Sequence, residues 1–263
     1  MKYKMTNIEL ALKAAVRAGK ISLELRDAEF KVSHKESLRD IVTNVDLTAE
    51  KAIAETIQSS SSSPLFCEES LGQKLESDSW IVDPLDGTAN YVAGNPNFTV
   101  CIAKLEGNEL DLGVIYAPVF SDLYYTYGGR AYKNSSRITG FSGPINSAVI
   151  AFSLPGKMNE ESEKHYWEHI RDVNRASRGV VRLGSAALHL AWTAEGRFGA
   201  CIGFSAPLWD IAAGVCLARS AGLEIIMYEA HEAGKYNYIC GPLSIVESLK
   251  NKICCDFDSR REC

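Results

Sequence analysis

Hydrophobic positions change period several times along the chain, and each change marks an element. Leu10, Ala14, Ala18, Ile21 and Leu25 recur at helical spacing, which predicts one long amphipathic helix over 6–27. A polar stretch, "KVSHKESLRD", separates it from "IVTNVD", a short extended segment, and "LTAEKAIAETIQ" restores the helical period until the serine run before Pro64. "PLFC" and "WIVD" read as strands that run straight into acids. "NFTVCIAKLEG", "NELDLGVIYAP" and "DLYYTYGG" read as consecutive antiparallel strands, each closed by Gly, Asn or Pro. From Ser147 the order is a strand in "SAVIAFS", helical patterns at 159–174 and 184–196, a strand in "RFGACIGF" and a helix in "WDIAAGVCLARSAG" stopped by Gly222. "LEIIMY", "YNYICGP" and a helix in "LSIVESLKN" follow.

This order predicts layers of helices alternating with mixed, largely antiparallel sheets. It divides the chain into an N-terminal half at 1–146, a C-terminal α/β half at 147–253 and a tail at 254–263, forming one compact catalytic unit. A net charge of −5 argues against nucleic acid as the main partner. No apolar run reaches the ~20 residues that span a bilayer, and the first residues read as an amphipathic helix rather than a signal sequence, so the expected location is the cytoplasm. The eight cysteines include no C-x-x-C pair and no histidine at zinc spacing, so a thiol-based function is not expected.

The acids behind the strands carry the chemistry: Asp46 after "VTNV", Glu68 and Glu69 after "LFC", Asp83 and Asp86 around "PL", and Asp210 in "LWDIAAG". Taken singly, Asp46 and Asp210 read equally well as helix caps, and the glutamates as solvated acids at a strand end. The turn "DPLDGT" is harder to explain that way. Pro84 fixes its own backbone and biases Asp83 towards an extended conformation, while Gly87 supplies an unusual backbone angle or room for a ligand. A helix starting near Thr88 would turn free N–H groups towards the acids, making an anion site beside carboxylates. A divalent cation resolves that conflict, and Mg²⁺ prefers such oxygen ligands with phosphate completing its shell. An aspartyl nucleophile fits less well, because such pairs are spaced D-x-D and this one is D-x-x-D.

"WIVDPLDGTANY", "FCEES" and "LWDIAAG", in that order and with "VTNVD" upstream, resemble the inositol monophosphatase family of Mg²⁺-dependent, lithium-sensitive phosphatases, from the first helix to Lys250. The resemblance implies an αβαβα sandwich and a homodimer. It also implies two or three Mg²⁺ ions per subunit. Glu68 and Asp83, with the carbonyl of Leu85, would hold the first; Asp83, Asp86 and Asp210 the second; and Glu68 would help with a third. Gly87 and Thr88 would offer N–H groups to the phosphate. Asp46 and Thr88 would orient the attacking water, Glu69 would support them, and Lys35 would lie near the metals. The implied reaction is hydrolysis of a phosphomonoester by metal-activated water, with no phospho-enzyme.

Substrate choice is more open. "RLGSAALHLAWTAEGRF" matches a family segment beside the substrate, which implies contacts from Ser185 and Ala186 as well as Asp86; Ser185 reads equally as a helix cap. Many relatives acting on inositol phosphate carry a sugar-binding glutamate seven residues before the aspartate matching Asp210. Here that place belongs to Gly203, which removes a hydroxyl acceptor and is expected to open space at the substrate site. His189 stands where Asp or Asn is common and reads as a packed helix residue. The expected substrate is a small polar phosphate ester of the inositol- or sugar-phosphate type. Histidinol phosphate, fructose 1,6-bisphosphate and a 3′-phosphonucleotide are the alternatives, the last ranked lower because no Lys-Glu accompanies Asn90. The non-enzyme alternative is a regulatory binding protein that kept the fold, against which stands the cost of five carboxylates buried together.

Overall fold

The structure is a computed structural model that describes residues 5–26, 31–34, 41–70 and 74–253. Lys35, Cys254, Cys255 and Cys263 lie outside the described residues.

In chain order the elements are α1 (Asn7–Arg26), β1 (Val32–His34), β2 (Ile41–Thr43), α2 (Asn44–Gln58), β3 (Leu65–Cys67), β4 (Ser79–Asp86), α3 (Thr88–Val92), β5 (Thr99–Glu106), β6 (Glu109–Ala117), β7 (Asp122–Tyr127), β8 (Arg130–Lys133) and β9 (Ser136–Arg137). The second half contributes β10 (Val149–Ser153), α4 (Glu160–Ala176), β11 (Gly179–Val181), α5 (Ala186–Glu195), β12 (Ala200–Pro207), α6 (Leu208–Ser220), β13 (Glu224–Glu229), β14 (Lys235–Gly241) and α7 (Leu243–Lys250). Strands β3 to β9 form one sheet in sequence order, and the second sheet runs β11-β10-β12-β14-β13. The larger sheet is antiparallel except for the β3–β4 pair. The smaller is evenly mixed, with β10 parallel to both β11 and β12.

The strand period of two assigns the layers. On β5, Val100 and Ile102 face a core built from Leu10, Ala14 and Ala18 of α1 and Ala49, Ile53 and Ile57 of α2. Cys101 and Ala103 face the opposite way, towards Ala187 and Ala191 of α5 and Ala212, Ala213 and Leu217 of α6. On β12, Cys201 and Ala206 look back at α5 and α6, while Ala200, Ile202 and Phe204 look out at Ile170 of α4 and at Ile245, Val246 and Leu249 of α7. The result is α1/α2, sheet, α5/α6, sheet, α4/α7, the expected αβαβα sandwich. With helices on both faces, all eight residues of β4 are buried, which is why "WIVD" reads as an unbroken apolar run.

Two boundaries near the acids differ from expectation. Helix α2 begins at Asn44 rather than Leu47. Thr43 and Asp46 form a reciprocal capping box, so Asn44, Val45 and Asp46 are already helical. Strand β4 does not end in a turn at Asp83 but continues through Pro84 and Leu85 to Asp86. Asp83 faces Cys101 and Asp86 faces Thr99, so three steps on β4 match two on β5. The extra residue is a bulge, placed where Pro84 has no N–H to give the ladder. The short strands β8, β9 and β11 carried no usable alternation and were not expected.

Candidate active site

The bulged end of β4 sets the geometry. Asp83 and Asp86 are both buried, at 1% and 6% exposure. Asp83 Oδ1 accepts the Leu85 N–H at 2.9 Å, which folds the bulge around its own first acid. The Glu68 N–H donates to the Val82 carbonyl at 3.1 Å, extending the β3–β4 pairing one residue and bringing Glu68 alongside Asp83. Asp210 stands in the first turn of α6.

Burial, then repulsion from Glu68, Asp210 and Asp86, pushes the Asp83 carboxyl well above the usual carboxylate range. Asp86 is pushed up to about 6: burial raises it most, hydrogen bonds from Ser185 and Ala187 pull it back, and Glu68 adds to the rise. Asp83 thus senses the charge of the other three acids, and Asp86 that of Glu68. Among the described residues, no three acidic, histidine or cysteine side chains form a ready-made cation cage. The donor set nevertheless suits a hard divalent cation: clustered carboxylates that cannot all stay ionised without one, with the Leu85 carbonyl between two of them.

A second group adjoins these acids. Asp46 is fully buried, and its Oδ2 accepts from Thr43 N at 2.9 Å and Thr43 Oγ1 at 2.5 Å. Its Oδ1 and the Leu85 carbonyl each lie 3.0 Å from Thr88 Oγ1, so one hydroxyl touches both the buried acid and the bulge. Burial raises the Asp46 carboxyl despite those bonds. Gly87, the N-cap of α3, has φ of 95°, and a Cβ there would stand 2.8 Å from the Asn97 carbonyl, so the position requires glycine.

Helix α5 closes the site. Ser185 caps it by accepting the Leu188 N–H at 3.1 Å, while its hydroxyl donates to Asp86 Oδ2. Ala187 N donates to the same oxygen at 2.9 Å, and Ala186 N also favours the ionised Asp86. Ser185 is thus the helix cap that one reading of the sequence expected, and it also holds Asp86, an expected ligand.

Gly203 does not open space. It pairs with Tyr238 across β12 and β14, and a Cβ on it would fall 2.0 Å from the Tyr238 ring. The tyrosine fills the place where a longer side chain would sit. His189 is buried as expected: the Leu183 N–H donates to its Nε2 at 3.0 Å, so the neutral ring carries its proton on Nδ1, 2.9 Å from Ser153 Oγ. Burial, reinforced by Arg182, pushes its pKa down to about 3.

Two further residues, Glu50 and Asn90, support the site from outside the expected set. Glu50 of α2, 8% exposed, accepts the Glu69 N–H at 3.0 Å and the Ser70 hydroxyl, fixing the loop that carries Glu68. Its signal was an acid on the apolar face of a helix, between Ala49 and Ile53. Asn90 donates to the carbonyls of Asn97 and Leu183, both at 2.7 Å, tying α3 to the turn before α5.

Fold and site define a phosphoric monoester hydrolase. The model of the inositol monophosphatase family matches residues 4–260, and the chain belongs to that family. It is 31% identical over 256 residues to Nus factor SuhB of Haemophilus influenzae, covering 94% of this chain and 95% of the relative. It is 33% identical over 225 residues to inositol-1-monophosphatase of Caulobacter vibrioides, covering 83% and 86%. The solved IMPase of Thermotoga maritima superposes with a TM-score of 0.84 at 27% identity, over 95% of this chain and 97% of that one.

Proposed function

We propose that the protein hydrolyses a small polar phosphomonoester, of the inositol- or sugar-phosphate type, with Mg²⁺ as cofactor. The observation that carries this reading is the mutual repulsion of Glu68, Asp83, Asp86 and Asp210 around the bulge of β4. Glu68, Asp83 and the Leu85 carbonyl would hold one ion, and Asp83, Asp86 and Asp210 another, with Glu68 able to reach a third. When bound, Mg²⁺ supplies neutralisation of the phosphate charge and acidification of a water. The chain's own groups do the rest. The N–H groups of Gly87 and Thr88, in the first turn of α3, bind phosphate oxygens. Thr88 Oγ1 accepts a hydrogen bond from the attacking water while giving its own to Asp46 Oδ1, and Asp46, its pKa raised by burial, takes up the charge of the departing proton. Ser185 and the start of α5 hold Asp86 in place. Glu69 supports this group through the loop that Glu50 anchors.

With Tyr238 packed over Gly203, no carboxylate at 203 is present to accept sugar hydroxyls, which favours tolerance among leaving groups over strict choice of inositol. The described cysteines are free thiols, in keeping with a cytoplasmic enzyme, and we take it to work as a homodimer. Among the described residues no helix is long and apolar enough to cross a membrane.

The test is phosphate release from inositol 1-phosphate, histidinol phosphate, fructose 1,6-bisphosphate and a 3′-phosphonucleotide, with Mg²⁺ and with chelator. Release that needs Mg²⁺ and falls in millimolar lithium is the expected result, and full activity in chelator would overturn the metal mechanism. A relative named as a Nus factor favours a second reading, a regulatory binding protein; cleavage of no ester in the panel would select it.

A further inference from the structure

Two histidines on the outer helix layer stand apart from these acids. His165 and His169 lie one turn apart on α4, with ring centroids 4.3 Å apart at 69° and Nε2 atoms 3.1 Å apart. His169 is 9% exposed and His165 is half-buried, so the pair is anchored on one side and open to solvent on the other. The helix is pinned from beneath: Tyr166 stacks on Phe204 at 4.4 Å, Trp167 meets Phe152 edge-on at 5.8 Å, and Ile170 and Val173 sit in the core. The backbone that carries the two rings is therefore set before any ligand arrives.

We propose that His165 and His169 form a binding site for a borderline transition-metal cation of the Zn²⁺, Ni²⁺ or Cu²⁺ class, separate from the phosphatase centre. Metal–nitrogen bonds of about 2.0–2.1 Å place two adjacent imidazole ligands roughly 3 Å apart, which is the spacing found here. In the metal-free protein the two Nε2 atoms share a hydrogen bond, one ring giving and the other accepting. A metal ion takes the place of that shared proton and accepts both lone pairs, while the ring that gave the hydrogen bond carries its proton on Nδ1 instead, so both imidazoles bind in the neutral form. Glu161 and Glu168 fall on the same arc of the helix, four and three residues from His165, and add negative potential around the pair, whereas Asp172 is engaged by Arg171 and Arg175. Among the described residues no third acidic, histidine or cysteine side chain joins the pair, so two imidazoles with water make up the shell, and their nitrogen donors suit these ions. The all-oxygen set at the end of β4 suits Mg²⁺ instead, so the two sites differ in chemistry as well as in place. Binding would bridge successive turns of α4 and stiffen the layer that covers the smaller sheet.

The experiment uses the full-length protein in excess Mg²⁺, titrated with Cu²⁺ and followed by electron paramagnetic resonance. At one equivalent, hyperfine splitting from two imidazole nitrogens is expected. His165→Asn, at the half-buried position, should remove one nitrogen coupling and weaken Cu²⁺ binding about tenfold or more. His169→Asn should do the same, and His231→Asn should change neither. Circular dichroism confirms that the variants are folded; if His169→Asn is not, His165→Asn alone decides. A Cu²⁺ spectrum and affinity unchanged by His165→Asn would overturn the proposal, as would a spectrum with oxygen ligands only.

Discussion

Ser185 donates its hydroxyl hydrogen to Oδ2 of Asp86, a residue ninety-nine positions earlier in the chain, while its oxygen caps the first turn of α5. One side chain thus joins the end of a strand in the larger sheet to the start of the helix layer beneath it. Ser185→Ala removes the cap and one donor to a buried carboxylate together. A loss of about 2 kcal/mol in denaturant unfolding is expected, with turnover about tenfold lower. Because the Ser185 bond holds the Asp86 pKa down, the acid limb of the pH–rate profile should also move to higher pH. A stability loss with an unmoved profile would make Ser185 a cap alone.

Asp83 is buried against three other acids, so its charge destabilises the metal-free fold. Asp83→Asn keeps the shape and removes the repulsion. The expected outcome is opposite in sign for the two measurements: unfolding of the chelated protein becomes harder by about 1 kcal/mol, while phosphate release falls by roughly two orders of magnitude or more. Near-normal turnover would take Asp83 out of the site.

Glu50 reaches the loop that carries Glu68 through the Glu69 N–H and the Ser70 hydroxyl. Glu50→Ala should therefore leave the maximal rate within a few-fold but raise the Mg²⁺ concentration giving half-maximal rate about tenfold, as loss of a ligand's support does. An unchanged Mg²⁺ dependence would show that the loop holds Glu68 without it.

Gly203 and Tyr238 occupy one volume between them. Gly203→Glu, which places an acid where many relatives have one, drives its Cβ into the tyrosine ring and should cost more than about 3 kcal/mol. Adding Tyr238→Ala to that variant should recover most of the loss in thermal unfolding. A single variant as stable as the native chain would show that the ring moves aside freely.

The layers and the acids were legible in the sequence because both depend on local pattern. The apolar period marked the long helices, and each acid follows an apolar strand or opens a helix. What was not legible depends on long-range packing. The bulge at Pro84 exists because β5 offers two residues against three, which "DPLD" alone does not state. Tyr238 lies over Gly203 only because β14 pairs with β12, so a missing side chain read as open space. The early start of α2 is different: Thr43 and Asp46 stand at capping-box spacing in the sequence itself, but the β-branched run "IVT" outweighed it.

His189 offers a test of stability against pH. Its folded pKa is pushed down to about 3 from the ordinary 6.5, because burial disfavours the charged ring and the Arg182 guanidinium repels it. The unfolded chain therefore binds more protons than the folded one between these values. The contribution of His189 is fully present above pH 6.5 and is lost as pH falls, by about 1.4 kcal/mol per pH unit. Asp86 acts with the opposite sign in the metal-free protein: its carboxyl is raised from 3.8 to about 6, so its share of stability grows as pH falls through that window. The two partly cancel in the native protein, so the pH curve alone does not separate them. Comparison with His189→Gln does, because Asp86 is common to both chains. At pH 7 the native protein should be the more stable, and the gap should narrow steadily through pH 5.5 to 4.5. A gap that stays constant with pH would mean that His189 keeps its proton balance on unfolding.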